Sequence, residues 1–201
     1  MNVTVPASFA FLIFCSVFAQ PKPNLDDPLI LKEILSVAVT SLEEREMPNG
    51  SFLSFEPQQN QPFTGWRKQC RQNGQVRVLE QFKDGKAHGP YTYWWENGKK
   101  AEQKYNLVGR VHGLWTSWYE NGQKQFGVNW KDDKQDGLAL QWHENEQKKT
   151  EGNWKDGNLI GLYVVWHENG QKKTEGNFKD GKRDGLSFEW NEKGQKMGEG
   201  N

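Results

Sequence analysis

The sequence predicts a mostly β protein: an antiparallel β-hairpin repeat array with a short N-terminal helical cap. Three observations predict this fold class. A glycine recurs at every twenty-fourth residue from Gly65 to Gly185. Within most of these units, β-forming residues flank an Asn-Gly pair, which is a hairpin turn signal. All ten tryptophans lie between Trp66 and Trp190, so the side chains able to bury the largest apolar areas belong to the array.

The period holds at more than one position of the unit. Tryptophan follows the unit glycine by five residues in every unit except the first, where Cys70 takes its place. Spacing without drift over five intervals is the signature of stacked supersecondary units. We therefore assign residues 65–201 to six 24-residue units, the last of them truncated. The structural residues predicted by this register are Gly89, Gly113, Gly137, Gly161, Gly185, Trp94, Trp118, Trp142, Trp166 and Trp190.

Each unit is predicted to be one hairpin. In the fifth unit, Gly161 to His167 is rich in β-formers, Asn169-Gly170 is the turn signal, and Gln171 to Phe178 is the returning strand. Lys179 to Lys182 then makes a second turn. Glycine suits such turns because it adopts positive φ without strain. Glu146 replaces the turn glycine of the fourth unit, which predicts a different or looser turn there.

The turn length decides which face each side chain occupies. We favour a three-residue Glu-Asn-Gly loop with a bulge over a two-residue Asn-Gly loop, because it gathers the apolar residues on one face. In the fifth unit the gathered set would be Leu162, Val164, Trp166, Thr174, Gly176 and Phe178. The same loop predicts one buried row of tryptophans, comprising Trp118, Trp142, Trp166 and Trp190.

The repeat resembles a known family. The runs Gly152 to Gly161 and Gly176 to Gly185 resemble MORN repeats, and Trp118 to Lys124 resembles the variant MORN form of bacterial proteins, often labelled YwqK-type antitoxins. The resemblance covers Gly65 to Asn201, about two thirds of the chain. It implies an extended curved β-sheet. For function it implies lipid contact, protein scaffolding or docking, since a fold does not fix a function.

Residues 1–19 predict a secretory signal peptide cleaved near Ala19, and hence a secreted or periplasmic location. Val3 to Ala19 carries no charged side chain and includes the apolar run Phe9 to Phe14, although the segment before it lacks Lys or Arg. The alternative is an uncleaved anchor, which the shortness of the apolar stretch disfavours. After cleavage only Cys70 would remain, which excludes an internal disulfide.

Residues 20–64 are expected to form a helix and a short strand that cap the first hairpin. Asp27 before Pro28 is a helix start signal. The residues at helical spacing that follow it are Leu31, Ile34, Leu35, Ala38 and Leu42. Met47 to Gly50 should end the helix, and Ser51 to Glu56 should form the strand. A partner-binding helix is the alternative role for this segment.

Composition and motifs argue against catalysis. The 26 basic and 26 acidic side chains cancel, so the chain lacks the basic footprint of a nucleic-acid binder. Equivalent histidines on neighbouring hairpins, such as His143 and His167, should lie about 10 Å apart, too far to share a zinc ion. Because no nucleophile triad, phosphate loop or zinc motif occurs, we predict a chain without enzymatic activity, cofactor or metal.

Binding is the function that remains. The leading hypothesis is a non-catalytic scaffold of an exported protein with a protein partner. An antitoxin role, suggested only by the family label, is one alternative. Contact with a membrane or glycan is another, through the aromatics Tyr91, Trp95, Trp115 and Tyr163. The competing interpretation of these four residues is that they fill the packed face of the sheet.

Overall fold

The computed structural model describes residues 23–200 of the 201-residue chain. The predicted signal peptide and its cleavage site near Ala19 lie outside the described residues. The described residues form one α-helix and fifteen β-strands. The prediction of an antiparallel hairpin array with a short N-terminal helix is confirmed.

The N-terminal part holds one helix and two strands, α1 (Pro28–Val37), β1 (Glu43–Glu46) and β2 (Phe52–Phe55). The first three units form β3 (Gly65–Cys70), β4 (Val76–Lys83), β5 (Lys86–Trp94), β6 (Lys100–Leu107), β7 (Arg110–Val111), β8 (Gly113–Trp118) and β9 (Lys124–Lys131). The last three units form β10 (Lys134–Trp142), β11 (Lys148–Lys155), β12 (Asn158–Trp166), β13 (Lys172–Lys179), β14 (Lys182–Trp190) and β15 (Lys196–Gly200).

Strands β3 to β15 form one 13-stranded antiparallel sheet in which neighbours in sequence are neighbours in space. The short strand β7 pairs only with β6 and lies off this path. Strands β1 and β2 form a separate two-stranded sheet, in register from Glu43 opposite Phe55 to Glu46 opposite Phe52. The units are therefore arranged as a continuous meander.

The predicted three-residue loop within each hairpin is confirmed. The His167 N–H donates to the Gln171 carbonyl at 2.8 Å, and the Gly170 N–H donates to the His167 carbonyl at 2.9 Å. Gly170 has a φ of +79°. The expectation of a different turn at Glu146 is wrong, because Glu146 adopts a φ of +65° and makes the same bond, donating to the His143 carbonyl at 3.0 Å.

The turns between hairpins are two residues long and have positive φ at both central positions. In the turn between β11 and β12 these are Asp156 at +48° and Gly157 at +88°, which is the geometry of a type I′ turn. The glycine N–H also bonds across the sheet, since Gly157 donates to the Gln135 carbonyl at 2.9 Å. At the equivalent turn between β6 and β7, Val108 occupies the first position with a φ of +51°.

Helix α1 begins as predicted but ends early. Asp27 caps it by accepting hydrogen bonds from the N–H groups of Leu29 and Ile30. The helix ends at Val37, so Leu42 does not belong to it and the prediction of a helix reaching Met47 is wrong. The chain turns away because Val39 is β-branched and pairs with β3, donating to the Trp66 carbonyl at 2.8 Å.

One buried apolar cluster lies where α1 meets the first two units. Leu79 is fully buried, and it packs with Leu25 and Ala38. The partly buried residues around this cluster are Leu31, Ile34, Leu35, Trp66 and Trp94. The helix therefore covers one face of the sheet over its first two units.

Candidate binding surface

The predicted tryptophans end successive strands on one face of the sheet. Trp94, Trp118, Trp142, Trp166 and Trp190 are the last residues of β5, β8, β10, β12 and β14. All five are half-buried, so the prediction that Trp118, Trp142, Trp166 and Trp190 form one buried row is wrong. They form an accessible column along the array.

A shift in strand register moves the predicted residues of the returning strand to the opposite face of the sheet. Val165 lies opposite Thr174, but Trp166 lies opposite Lys172, so Lys173 is an extra, bulged residue. Because directly opposite residues share a face, Glu175 lies with Val164 and Gly176 lies with Tyr163. The prediction that Thr174, Gly176 and Phe178 share a face with Trp166 is therefore wrong.

Two faces can now be defined. The tryptophan face carries the five strand-end tryptophans together with Leu162, Val164, Glu175 and their equivalents in other units. The tyrosine face carries Tyr163, Val165, Thr174, Gly176, Phe178 and their equivalents. Helix α1 lies on the tryptophan face, because Trp66, Leu79 and Trp94 belong to it.

Lysines on the tryptophan face lie between the tryptophans. The ammonium groups of Lys124, Lys148 and Lys172 lie 6.0, 5.7 and 5.9 Å from the ring centroids of Trp142, Trp166 and Trp190. Lys148 and Lys172 also pair with Glu151 and Glu175, both at 2.6 Å. Cation and ring therefore alternate from unit to unit.

A row of leucines stands exposed on the same face. Each leucine follows its unit glycine directly, and the exposed fractions are 57% for Leu114, 38% for Leu138, 50% for Leu162 and 49% for Leu186. At the corresponding position of the first unit, Trp66 packs beneath α1. The leucine row is thus the continuation of a position that the helix covers.

Three of the four candidate partner-binding aromatics are packed against the tyrosine face. Trp115 contacts Phe126 and Trp130, with ring centroids 5.5 and 5.4 Å apart. Tyr163 contacts Phe178 at 5.9 Å. Tyr91 has the Lys104 ammonium 4.4 Å from its ring centroid. All three side chains are half-buried.

The fourth, Trp95, belongs to a column that the sequence reasoning missed. The residue that follows the strand-end tryptophan position donates to the carbonyl of the tryptophan one unit on. The donors are Arg71 to Trp94 at 2.7 Å, Trp95 to Trp118 at 3.1 Å, and Tyr119 to Trp142 at 2.8 Å. His143 and His167 take the same position, with Nε2 atoms 3.1 and 2.9 Å from the carbonyls of Trp166 and Trp190.

This column explains two histidines. A carbonyl only accepts hydrogen bonds, so the Nε2 atoms of His143 and His167 carry the proton. The sequence did hold a signal for this role, because one position of the unit carries a side chain with an N–H or O–H donor in five successive units, of four different kinds. These side chains differ in size and shape, and what they share is a hydrogen-bond donor.

The unit glycines lie where the backbone needs positive φ. Gly89, Gly113, Gly137, Gly161 and Gly185 have φ values of +114°, +82°, +113°, +68° and +87°. Gly89 also lies against a neighbour, since a Cβ atom there would be 3.0 Å from Cβ of Gln81. The structure thus gives Gly89 two reasons to lack a side chain.

One side chain of the sheet, Tyr91, has a strongly raised pKa. Burial, together with the carboxylates of Glu102 and Glu80, raises the pKa of Tyr91 to about 12. At the exposed edge, a hydrogen bond from Lys155 lowers the pKa of Asp136, and the same bond raises the pKa of Lys155. The Asp136–Lys155 pair, 2.9 Å apart, joins the adjacent strands β10 and β11.

Within residues 23–200, no group of three or more His, Cys, Asp or Glu side chains is placed to hold a metal ion. Nor does this part of the chain hold a helix long and apolar enough to cross a membrane. Cys70, at the tryptophan position of the first unit, is a free and exposed thiol. What the described arrangement offers chemically is a repeating apolar and cationic surface.

Comparison with known proteins identifies the repeat. The family model described as MORN repeat variant matches residues 87–105, 111–132, 135–156 and 159–180. Each match begins two residues before a unit glycine, so the match and the 24-residue register agree. These matches support a MORN-repeat protein, and such repeats are generally non-catalytic modules that contact proteins or membranes. No curated protein matches the chain.

Proposed function

We propose that the chain is a non-catalytic binding scaffold of an exported protein, and that its tryptophan face contacts a partner protein. The observation that carries this proposal is the row of exposed leucines at Leu114, Leu138, Leu162 and Leu186. Four copies of the same apolar exposure, one per unit, form an elongated patch. Exposed apolar patches rimmed by polar groups mark interaction sites.

The neighbours of the leucines favour a protein as the ligand. Tryptophans lie beside the leucine row, and aromatic residues are enriched in protein–protein interfaces. The lysines of the face are already paired in part, since Lys148 and Lys172 contact Glu151 and Glu175. A face with compensated charge suits a mixed apolar and polar partner surface better than an anionic membrane surface, which free cations attract.

A variant of the face tests the proposal. Replacing Leu138 and Leu162 by Glu places two charges on the leucine row without removing buried groups. The control replaces Lys149 and Lys173 by Glu, at exposed positions of the neighbouring strands. We expect affinity capture with quantitative mass spectrometry to recover a partner with wild type and with the control, but not with the leucine variant. Equal recovery by both variants would contradict the assignment of the face.

Two further measurements separate the alternative functions. An antitoxin would be captured with a toxic partner whose lethality it cancels on co-expression. A carbohydrate- or lipid-binding protein would instead show a change in tryptophan fluorescence on a glycan or vesicle panel. Either result in place of a captured scaffold partner would overturn the proposed function.

Export rests on the composition of residues 1–19. It is tested by expressing the full chain with a C-terminal tag in a secreting host. We expect tagged protein outside the cytoplasm with Gln20 as its first residue. Retention of the tag inside the cell with Met1 intact would contradict export.

A further inference from the structure

We propose that the partner presents an amphipathic α-helix with two leucines one turn apart and acidic residues at its N-terminal end. This proposal rests on the proposed function and deepens it. The helix would lie in a groove that recurs on the tryptophan face with the 24-residue period. The chain's own helix α1 shows how the first copy of that groove is filled.

Three cavities along the face are copies of one groove. The first is lined by Gln75, Val76, Trp94 and Gly98. Adding 24 to each number gives Lys99, Lys100, Trp118 and Gly122, which line the second cavity. Adding 24 again gives Gln123, Lys124, Trp142 and Glu146, which line the third. The groove is therefore a property of the repeat.

Only the first groove is lined by helix side chains. Leu31 and Leu35, one helical turn apart on α1, form part of its wall, and the cavity that remains has a volume of about 180 Å³. The second and third grooves measure about 550 and 470 Å³. No residue of α1 lines either of them.

Charge gives the helix a direction. Lys68 donates to the Leu35 carbonyl at 2.7 Å, near the C-terminal end of α1. At the other end, Asp26 precedes the helix and pairs with Lys100. The third groove offers Lys124 at the position equivalent to Lys100. Because α1 fills the first groove while Asp26 pairs with Lys100 of the second, a helix bound in the second groove would place a carboxylate, at or before its first turn, beside Lys124.

The probe for this experiment is the chain's own helix, supplied as a fluorescein-labelled peptide of residues 24–39. We expect saturable binding to the purified full chain, measured by fluorescence anisotropy. The matched control peptide carries Leu31→Glu and Leu35→Glu and should not bind. Absence of saturation by the unmodified peptide up to about 1 mM would overturn the proposal.

A photoreactive residue at position 35 of the peptide locates the bound site. Cross-links to residues 99–146, mapped by mass spectrometry, would support the proposal. Cross-links confined to residues 75–98 would mean that the peptide merely exchanges with α1 in the first groove, and this would overturn it.

A charge swap tests the direction of the helix. Lys124→Glu should weaken peptide binding about fivefold, as expected for losing one ion pair worth about 1 kcal/mol. Lys131→Glu, at the opposite end of β9, is the control and should leave binding unchanged. A peptide with Asp26→Lys should recover affinity for the Lys124→Glu protein. Equal weakening by Lys124→Glu and Lys131→Glu would reject the placement of the helix N-terminus.

The two proposals fail differently. If the peptide does not bind but a partner is still captured and is lost with the leucine variant, the scaffold function stands and the helix inference falls. If the peptide binds in the predicted grooves but no protein partner is captured, the groove chemistry stands and the proposed function falls.

Discussion

The ammonium group of Lys148 lies 5.7 Å from the ring centroid of Trp166, although Lys148 is paired across the strands with Trp142. Each such lysine therefore reaches forward to the tryptophan of the following unit. Lys124 reaches Trp142 in the same way, at 6.0 Å. Neighbouring units are coupled by this contact in addition to the backbone hydrogen bonds of the sheet.

Removing one of these lysine ammonium groups should lower the stability of the array. We expect Lys148→Met to lower the free energy of unfolding by about 0.5–1 kcal/mol, because the replacement keeps the aliphatic stem but loses the cation–π contact with Trp166 and the ion pair with Glu151. Lys149→Met, at the exposed neighbouring position, should change it by less than about 0.5 kcal/mol. Urea denaturation of both variants checks this. Equal effects would show that the contacts of Lys148 with Trp166 and Glu151 add no stability.

Relieving the backbone at Glu146 should stabilise the protein. Glu146 holds a φ of +65° where the other in-hairpin loops have glycine. We expect Glu146→Gly to raise the free energy of unfolding by about 1 kcal/mol, since glycine adopts this conformation without steric cost. Glu144→Gly, in the same loop but not at positive φ, should lower it. Thermal melts of the pair would contradict this account if both variants moved in the same direction.

Val108 presents a second strained position. It is a β-branched residue with a φ of +51° at the first position of a type I′ turn, where the equivalent turns have aspartate. We expect Val108→Asn to raise the free energy of unfolding by about 1–2 kcal/mol. Asp156→Asn, at the equivalent position of a later turn, is the matched control and should have almost no effect. A melting temperature that falls for Val108→Asn would show that its side chain contributes packing that outweighs the strain.

The location of the core can be tested with two leucines. Leu79 is fully buried beneath α1, whereas Leu162 is 50% exposed on the same face. Truncation of Leu79 to Ala should cost about 2–5 kcal/mol, because it leaves a cavity. Truncation of Leu162 to Ala should cost less than about 1 kcal/mol. Chemical denaturation measures both values, and a larger loss at Leu162 would contradict the described packing.

Tyr91 should make the protein sensitive to alkali. Its folded pKa is raised to about 12 from 10.0, so the folded state retains a proton that the unfolded state loses. The stability contributed is fully present below pH 10.0 and is lost as the pH rises through about 12. Tyr91→Phe should lack this loss. Titration of the phenolate absorbance should show one late-titrating group in wild type that is missing from the variant. A Tyr91 that titrates near pH 10.0 would contradict its burial.

The sequence predicted the structure correctly where a residue type is required by the local backbone conformation. The 24-residue period, the Glu168-Asn169-Gly170 loop and the Asp27 cap all follow from turn and capping chemistry. The extra residue at Lys173 could not be predicted in this way, because Lys172 and Lys173 are the same residue type and nothing in the sequence marks one of them as bulged. Both candidate faces are also apolar enough to be buried, so hydrophobicity alone could not reveal the shift that separates Trp166 from Phe178.

Tertiary contacts explain the remaining differences. The end of α1 is set by Val39, which finds a partner in β3 that local propensity does not show. The donors that follow the strand-end tryptophans were missed because their chemical types differ. Tyr119 and His143 share only a donor group that reaches a carbonyl 23 residues ahead. The candidate binding face, in turn, depends on the bulge and could be located only once the register was known.

The column of side-chain donors that follow the strand-end tryptophans bears on how the number of units can change. In this column a side-chain donor of one unit bonds to a backbone carbonyl of the next, and every unit with a strand-end tryptophan supplies such a carbonyl whatever its other residues. This hydrogen bond therefore does not depend on which side chains the following unit carries. A duplicated copy of residues 159–182 inserted after Lys182 should add two strands without disturbing either junction. The number of units, and with it the length of the leucine row, can change by whole copies while the join between units stays the same.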